Sequence, residues 1–381
     1  MLFAAGNAGV SGADFLEIGT GSRPLGMGEA FTASPSDINS IFYNPAGLAT
    51  MKFPVVSFMH QELIQDSKFE NISFTLPLYG GFFGVSNSFF WVPPFEKVDI
   101  DGNSDGKVYF YNAAGIFTYA RSLGYMEVGV SIKHIYQRID SLHLHSFAMD
   151  TGVMKQLYMF SPFDTPIKNF FLGFSILNLG TKAKDDSLPR SFRFGVSYYL
   201  THWFNINIDF IENIIDSSDF YDFTYGFDES FRINTGVEAT YLDILTLRAG
   251  YRFNDAGKYS LGMGFNYVIK NVSFLIDASY SDAGIFGPVY SFTITFKMIP
   301  KVITIDDKIN AEKRYQKGIK YYISNEIDSA IEEFKKCRDF NPYHKNVNEK
   351  IEDLEELQEL KERNKELEEE IEKESKKKSR R

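Results

Sequence analysis

Cysteine, long apolar runs and a basic charge surplus are all missing or scarce in this chain of 381 residues. The single cysteine, Cys337, permits no intrachain disulfide and no metal site built from several cysteines. No stretch of about 18 consecutive apolar residues occurs, so we predict no membrane-spanning helix. The net charge of −10 argues against nucleic acid as a partner, because binding phosphates requires a basic surface.

Motifs of enzymatic chemistry are also missing. The sequence contains no nucleophile elbow, no zinc-protease helix and no Walker loop, so we predict neither an enzyme nor a bound cofactor. A secretory signal peptide has a basic start and roughly 7–15 apolar residues, whereas Met1 is followed by four apolar residues and then Gly6. We interpret residues 1–8 as a signal-peptide remnant or as the start of a mature chain.

Charged and aromatic residues are distributed in opposite ways along the chain. Residues 1–300 hold 49 of the 90 charged residues but 55 of the 61 aromatic residues. Residues 301–381 hold the other 41 charged residues in a much shorter segment. The composition therefore predicts an aromatic-rich, charge-poor body followed by a charged tail.

Within the body, apolar and polar residues alternate with the period of two that indicates a strand with two different faces. Residues 204–210 and 231–241 alternate in this way almost without interruption. Segments of about ten residues with aromatics near their ends are typical of transmembrane strands. Fourteen are predicted, at residues 52–60, 69–78, 80–92, 108–121, 124–138, 145–158, 168–178, 190–200, 203–212, 230–241, 244–254, 258–269, 271–281 and 289–298. We therefore predict a transmembrane β-barrel of about 14 antiparallel strands over residues 50–299, surrounded by outer-membrane lipid.

The connections between these segments alternate in length. The first, third, seventh and ninth are long, the third comprising residues 92–107, while the second, fourth, eighth, tenth and twelfth contain two to four residues. Only the sixth connection, residues 159–167, departs from the alternation. Since outer-membrane barrels have short periplasmic turns and longer outer loops, we predict that residues 300–381 lie in the periplasm.

The segment before the first strand predicts a plug. Residues 34–48 indicate a short helix with Ser34 as its N-cap, Pro35 at its first position and Asn44 as its end. The glycine-rich residues 19–31 fit neither a Walker loop nor a dinucleotide-binding fingerprint. We interpret them as a closely packed part of the plug.

Residues 11–16, residues 21–31, and Asp37 followed by Tyr-Asn-Pro-Ala-Gly-Leu at 43–48 resemble the amino terminus of PorV/PorQ-type proteins in the FadL-like outer-membrane family. The resemblance implies a 14-stranded barrel in which residues 1–49 form a hatch that gates hydrophobic molecules such as long-chain fatty acids. It also implies an alternative, because PorV-like members are outer-membrane components of a protein secretion system. The predicted hatch residues are Arg23, Gly26, Gly28, Asp37, Asn44, Pro45, Ala46 and Gly47. Alternatively, the Asn-Pro-Ala sequence is a helix stop without a gating role.

Residues 300–345 resemble one tetratricopeptide repeat, in which two helices are joined by a turn around Asn325-Glu326. The matching positions are Gly318, Tyr321, Ala330, Phe334, Cys337 and Pro342, whereas Arg314 departs from the usual aromatic residue. One repeat cannot bury its own apolar face, so it must pack on the following helix, the barrel or a periplasmic protein partner. Residues 346–381 predict a charged helix, either a short coiled coil or a solvated helix, with a basic end.

Charged residues on the predicted inner faces are candidates for lining the lumen. They are Glu127, Lys133, Arg193, Asp209, Arg232, Glu238, Arg248 and Arg252. They form either a polar conduit or an ion-paired lining that anchors the plug, because buried charges must be paired.

Metal ligands are weakly indicated. Asp101, Asn103 and Asp105 match half of an EF-hand calcium loop that lacks its final glutamate, so a polar turn is favoured. His143 and His145 share a strand face but lack an identifiable third ligand.

Together these patterns predict an outer-membrane barrel with a plug and a periplasmic protein-interaction extension, and the resemblance implies that it takes up hydrophobic small molecules through the plugged lumen. The alternative function is that of a PorV-like component of a secretion or assembly system that recruits partners. The strand register predicts that Ile208→Arg, on the lipid face, costs about 2–4 kcal/mol, while Asn207→Arg on the inner face is tolerated.

Overall fold

The computed structural model describes residues 12–98, 101, 103–159, 168–184, 186–214, 231–255, 258–269, 271–282, 284, 287–299, 303, 305–344 and 347–378. The predicted signal-peptide remnant therefore lies outside the described residues. The chain divides into two compact units. The first comprises Met1–Leu157, Phe170–Tyr199 and Trp203–Val302, and the second comprises Tyr158–Asn169, Leu200–His202 and Ile303–Arg381.

The first unit is a closed barrel of antiparallel strands. The strands are β1 (Val55–Glu62), β2 (Lys68–Leu78), β3 (Gly81–Val98), β4 (Ser104–Ser122), β5 (Glu127–Ile139), β6 (Leu142–Leu157), β7 (Phe170–Gly180), β8 (Arg190–Thr201), β9 (Phe204–Ile214), β10 (Phe231–Tyr241), β11 (Leu245–Phe253), β12 (Tyr259–Ile269), β13 (Val272–Asp282) and β14 (Pro288–Met298). The barrel closes where β1 pairs with β14, with Val55 opposite Lys297. The predicted barrel of 14 antiparallel strands is confirmed.

Side chains alternate between the lumen and the outer surface of the barrel. In β9, Asn207 and Asp209 are almost fully buried in the lumen, whereas Phe210 is 37% exposed on the outside. Large apolar residues are exposed around the exterior; examples are Phe58, Phe74, Phe89, Phe117, Ile132, Phe147, Phe174, Phe194, Leu247, Met263, Ile276 and Phe292. An apolar exterior of this extent is a lipid-facing surface.

Residues 12–54, which we call the plug, precede the barrel and fold in short pieces. These are a 3₁₀ turn at Asp14–Glu17, helix α1 (Ser22–Gly26), helix α2 (Ser40–Tyr43) and a second 3₁₀ turn at Pro45–Thr50. Their apolar side chains pack on the inner wall, as Ile41 and Leu48 do in one buried cluster with Phe82 and Ile116. The core of this unit is therefore the boundary between plug and wall.

The predicted helix at residues 34–48 is wrong in its first half. Ser36 has a left-handed φ of 59°, so the chain cannot continue as a helix from Ser34. Instead, the Asp37 carboxylate accepts a hydrogen bond from the Asn39 backbone N–H at 2.7 Å, directly before α2. The predicted end at Asn44 is confirmed, because this residue is extended.

The connections follow the predicted alternation with two differences. The fifth connection, which the predicted strands place at residues 139–144, has only two residues, because β5 continues to Ile139 and β6 begins at Leu142. The second, eighth and twelfth connections have two residues each. The predicted third connection, residues 92–107, is largely strand, because β3 continues to Val98 and β4 begins at Ser104. The register between these strands shifts after Val92, where Pro93 and Pro94 have no N–H to donate.

The helical part of the second unit consists of α3 (Ile305–Ile323), α4 (Ile327–Phe340) and α5 (Val347–Lys378), which confirms the predicted helical C terminus. Its core contains Tyr315, Ala330, Phe334, Cys337 and Ile351. A Cβ atom on Gly318 would lie 2.7 Å from the Phe334 ring, so glycine allows α3 and α4 to pack closely. The assignment as a tetratricopeptide repeat stays a prediction. None of the described helices is both long enough and apolar enough to cross a membrane.

Glu333 is a charged residue in this core, with 5% of its side chain exposed. Its carboxylate pairs with Arg314 at 3.0 Å, Lys317 at 3.1 Å and Lys336 at 3.2 Å. Burial alone raises the pKa of Glu333, but hydrogen bonds from these three cations outweigh it and lower the pKa to about 2.

Candidate functional site

A belt of glycines lets the plug touch the wall backbone. Each glycine lies on an inward position of a strand, and a Cβ atom there would collide with plug atoms. The glycine belt comprises Gly129, Gly152, Gly173, Gly195, Gly236, Gly250 and Gly262. For example, a Cβ on Gly195 would lie 2.8 Å from Thr32 Cβ and 2.9 Å from Ala33 N. The lumen at this level is therefore filled by backbone packed on backbone.

The plug supplies its own glycines at the same contact. Gly28 has a φ of +63°, and a Cβ on it would lie 3.0 Å from Tyr251 N. A Cβ on Gly26 would lie 2.9 Å from Gly262 Cα. Larger residues at either position would push the plug away from β11 and β12.

Asn44 attaches the plug to the opposite wall. Its side-chain amide donates to Thr32 O at 2.8 Å within the plug and to Val153 O at 3.0 Å on β6. Its carbonyl oxygen accepts from Ala46 N at 3.1 Å, which caps the 3₁₀ turn that begins at Pro45. Since Asn44 is 1% exposed, loss of its amide would leave buried polar groups without partners.

A buried ion-pair network fixes α1 to the wall. The Arg23 guanidinium donates to both carboxylate oxygens of Glu238 on β10 and to Asp37 of the plug, each at 2.8 Å. Arg248 on β11 joins the same Glu238 at 2.8 Å and Asp277 on β13 at 2.6 Å. We call these five residues the arginine network. Between 4% and 16% of each of these five side chains is exposed to solvent. Because water cannot stabilise charges buried to this degree, each charged group relies on its oppositely charged partners.

Strand β9 binds the plug backbone directly. The Asp209 carboxylate accepts hydrogen bonds from Phe31 N and Thr32 N, both at 2.8 Å. Asn207 donates to Ala30 O at 2.9 Å and accepts from Ser197 Oγ at 2.8 Å. Position 207 is therefore a plug contact, and the prediction that it tolerates arginine is contradicted by this packing.

The lumen wall has an apolar side at the end that carries the long connections. Six inward residues on consecutive strands form what we call the apolar wall: Met59, Phe69, Phe90, Ala114, Ile135 and Ala148. Phe15 and Ile18 of the plug pack into the same buried cluster. These two side chains therefore occupy an apolar chamber.

The facing side of the same end is charged. Arg252 pairs with Glu29 of the plug at 3.0 Å and with Asp255 at 3.5 Å, and Arg232 lies 3.8 Å from Asp255. These residues, with Glu17, line a cavity of about 20 Å³. That volume holds one or two water molecules, so among the described residues this cavity has no room for a larger molecule while the plug is seated.

A family match covers the plug and nearly all of the barrel, ending within β14. Residues 8–295 match the family described as "Uncharacterised protein family (UPF0164)". The chain belongs to this family. A UPF0164 protein of Treponema pallidum (strain Nichols) is 24% identical over 172 residues, which span 43% of each chain. The aligned part is thus less than half the length of that curated relative.

Solved structures of outer-membrane transporters are similar to this barrel, and one of them has a TM-score above 0.5. The toluene transporter TbuX of Ralstonia pickettii is 12% identical, with a TM-score of 0.51, and the match covers 74% of this chain and 98% of that one. The toluene transporter TodX of Pseudomonas putida is 10% identical with a TM-score of 0.47 over 74% of this chain and 98% of that one. At the identity found for TbuX, the likeness establishes the fold of this UPF0164 member alone.

The predicted lumen residues fall into separate groups. Glu238 and Arg248 join the arginine network, Arg232 and Arg252 border the small cavity, and Asp209 holds plug backbone. Lys133 pairs instead with Asp150 at 2.7 Å. Arg193 lies over the Tyr43 ring at 5.3 Å, and Glu127 lies half-buried at the start of β5. All eight are inward positions, but they serve several attachments rather than one conduit.

The metal candidates lie elsewhere. Asp101 and Asn103 are exposed, and Ser104 already begins β4, so Asp105 is a strand residue. His143 and His145 lie on the exposed outer face, where they contact Tyr136 and His134.

Several functional residues were missed from sequence. They are Glu29, Asp150, Asp255, Asp277, Asn207 and the glycine belt. The inward register of Asp150, Asn207, Asp277 and the glycine belt was readable from the alternation of the strands. Glu29 belongs to the plug and Asp255 follows the end of β11, so strand alternation does not apply to them. What no pattern revealed was which inward residues meet the plug.

Proposed function

We propose that this UPF0164 member is an outer-membrane transporter that takes up small hydrophobic molecules through its plugged lumen. The apolar wall carries the proposal, because a purely polar conduit would have no use for a patch of apolar residues inside the barrel. A hydrophobic molecule can replace Phe15 and Ile18 against that wall. The shared fold with TbuX, a toluene transporter, supports this substrate class, and long-chain fatty acids are the other candidates.

Passage requires the plug to shift, because the cavity at the charged side admits only water. The plug is held by two kinds of contact, the ion pairs of the arginine network and the backbone packing on the glycine belt. A ligand that displaces Phe15 and Ile18 loosens the apolar side first. The charged side can then hold the plug inside the barrel while a path opens along the apolar wall.

A plug locked to the wall tests this mechanism. In a Cys337→Ala background, Ser22→Cys with Thr293→Cys joins α1 to β14, since the native hydroxyl oxygens are 2.7 Å apart. Thr118→Cys with Ser131→Cys is the matched control, because these hydroxyl oxygens are 2.8 Å apart across β4 and β5 and involve no plug residue.

We expect bacteria carrying the oxidised plug–wall pair to lose uptake of toluene and of a fluorescent long-chain fatty acid, and reduction to restore it. The control pair should transport equally in both redox states. Undiminished uptake through the locked plug would contradict passage through the lumen. Uptake by the parent chain no faster than by cells lacking it would contradict the substrate class.

A second candidate function is favoured by α5, which has 32 residues. Among its described side chains, the buried ones are Val347, Lys350, Ile351 and Leu354 in the first third, while Leu360 and Leu367 are 50% and 48% exposed. We propose that the helical unit lies in the periplasm, where this exposed part recruits a protein partner as PorV-like secretion components do. Proteins that co-purify with the full chain but not with a chain ending at residue 346 would support this role.

A further inference from the structure

A three-residue cluster in the second unit has the donor atoms of a metal site. His202 follows β8, Glu312 lies on α3, and His344 lies shortly before α5. Glu312 Oε2 lies 3.1 Å from His202 Nε2 and 3.2 Å from His344 Nε2. All three donor atoms lie within 4.8 Å of one another. Two imidazoles from distant segments thus converge on one carboxylate oxygen.

The surroundings fix this arrangement. The Tyr315 ring centroid lies 4.4 Å from that of His202 and 4.5 Å from that of His344, so one buried ring orients both imidazoles. Gln316 donates to Glu312 Oε1 at 2.8 Å, which leaves Oε2 for the cluster. In known metal sites, hydrogen bonds of this kind orient the side chains that coordinate the metal directly. With relative exposures of 9% and 6%, His202 and His344 offer their nitrogens in a largely buried place.

We propose that His202, Glu312 and His344 bind one divalent transition-metal ion, Zn²⁺ being the first candidate. Two imidazole nitrogens and one carboxylate oxygen are a zinc ligand set that leaves a fourth position for water. In a tetrahedral site with metal–ligand distances of about 2.0–2.2 Å, neighbouring donor atoms are about 3.3–3.5 Å apart. The two N–O separations need only a small expansion to accept the ion. Imidazole ligands disfavour Ca²⁺ and Mg²⁺, which prefer oxygen.

The ion would join three segments that are distant in sequence. Because it binds the folded arrangement and not separate segments, it stabilises the second unit independently of transport. This role differs from the proposed function, which depends on the plug and the lumen.

Metal titration of the full-length protein in detergent tests the proposal. After chelation and dialysis, Zn²⁺ binding is measured by elemental analysis and by competition with a chromophoric chelator. We expect one tightly held equivalent per chain. His202→Ala or His344→Ala should weaken binding at least 100-fold, and Gln316→Ala, which removes only an orienting hydrogen bond, by about tenfold. His143→Ala with His145→Ala is the control, because these exposed histidines are the obvious source of adventitious binding, and it should leave the tight equivalent unchanged.

Folding of each variant is checked by the heat-dependent gel mobility of the barrel and by hydrogen exchange of α3 and α4. His344→Cys provides a second check, since thiolate is a zinc ligand and should restore binding that His344→Ala loses. Tight binding that persists in folded His344→Ala, or that disappears with His143 and His145, would overturn the proposal. Absence of a chelator-resistant equivalent in the parent protein would overturn it as well.

Discussion

Removing one cation from the arginine network should release the plug. The network contains two guanidinium groups, Arg23 and Arg248, and three carboxylates, Asp37, Glu238 and Asp277. Arg23→Met keeps much of the side-chain volume but leaves one cation to balance three buried carboxylates. Breaking a buried pair in this way costs about 3–5 kcal/mol. This cost falls on the seated plug, because an open plug exposes the carboxylates to water.

Removing one carboxylate from the network, by contrast, should change the stability of the seated plug very little. Asp277→Asn leaves two cations and two carboxylates, and the amide oxygen still accepts a hydrogen bond from Arg248. We expect a cost below about 1 kcal/mol, since a neutral hydrogen bond replaces a charged one in a balanced network. Comparing Arg23→Met with Asp277→Asn therefore shows whether the seated plug is stabilised by balanced charge in the network or simply by the number of its hydrogen bonds.

Thiol labelling measures the seated fraction of the plug. In a Cys337→Ala background, Ser22→Cys places a reporter on α1 that is fully buried when the plug is seated. If opening is fast relative to labelling, the labelling rate follows the open population. A cost of about 3–5 kcal/mol then corresponds to a labelling rate about 10²- to 10⁴-fold faster in Arg23→Met, since each 1.4 kcal/mol is a factor of about ten. Equal labelling of Arg23→Met and the parent, or equal acceleration by Asp277→Asn, would refute the assignment of the network as the plug anchor.

Three further predictions address the wall, the belt and the helices. Ile208→Arg on the lipid face should cost about 2–4 kcal/mol when folding in lipid is measured, against a much smaller cost for Thr246→Arg on the inner face away from the belt; equal costs would contradict the register. Gly129→Ala should destabilise the plugged barrel by about 1–3 kcal/mol in denaturant titrations, because its Cβ meets plug backbone, whereas Gly115→Ala, with its nearest atom 3.7 Å away, should be neutral. Glu333→Gln should lower the stability of the helical unit by about 1 kcal/mol at neutral pH, measured by hydrogen exchange. Because the pKa of Glu333 is lowered to about 2, this difference should fade as the pH drops below the ordinary glutamate range, and a pH-independent difference would contradict the ion pairing.

The barrel was predictable because each strand of a membrane barrel carries its own signal. Alternation within β9, for example, identifies Asn207 as inward and Phe210 as outward without knowledge of any neighbour. The predicted ends of β3 and β4 were wrong, because β3 continues to Val98 and β4 already begins at Ser104. Residues 92–107 were predicted as a connection, whereas β3 and β4 extend into them and accommodate Pro93 and Pro94 by a register shift.

The sequence indicated that a plug precedes the barrel, but it did not predict the secondary structure of that plug. Local capping rules favoured a helix from Ser34, but the Asp37 carboxylate serves both the backbone of Asn39 and the guanidinium of Arg23. A tertiary contact of this kind overrides local preference and leaves no trace in the spacing of residues. The same limit explains why the pairing of Arg248 with Asp277 was not predicted, although alternation marks both as inward residues.

The glycine belt matches the curvature of the wall to the plug. From β5 to β12, belt glycines let these strands approach plug atoms more closely than a Cβ would allow. The pairing of β1 with β14 brings the two ends of the sheet together. We expect the plug to act as a template for the curvature of the sheet while this closure forms. A chain whose plug is deleted should then close into a looser barrel or fail to close at all.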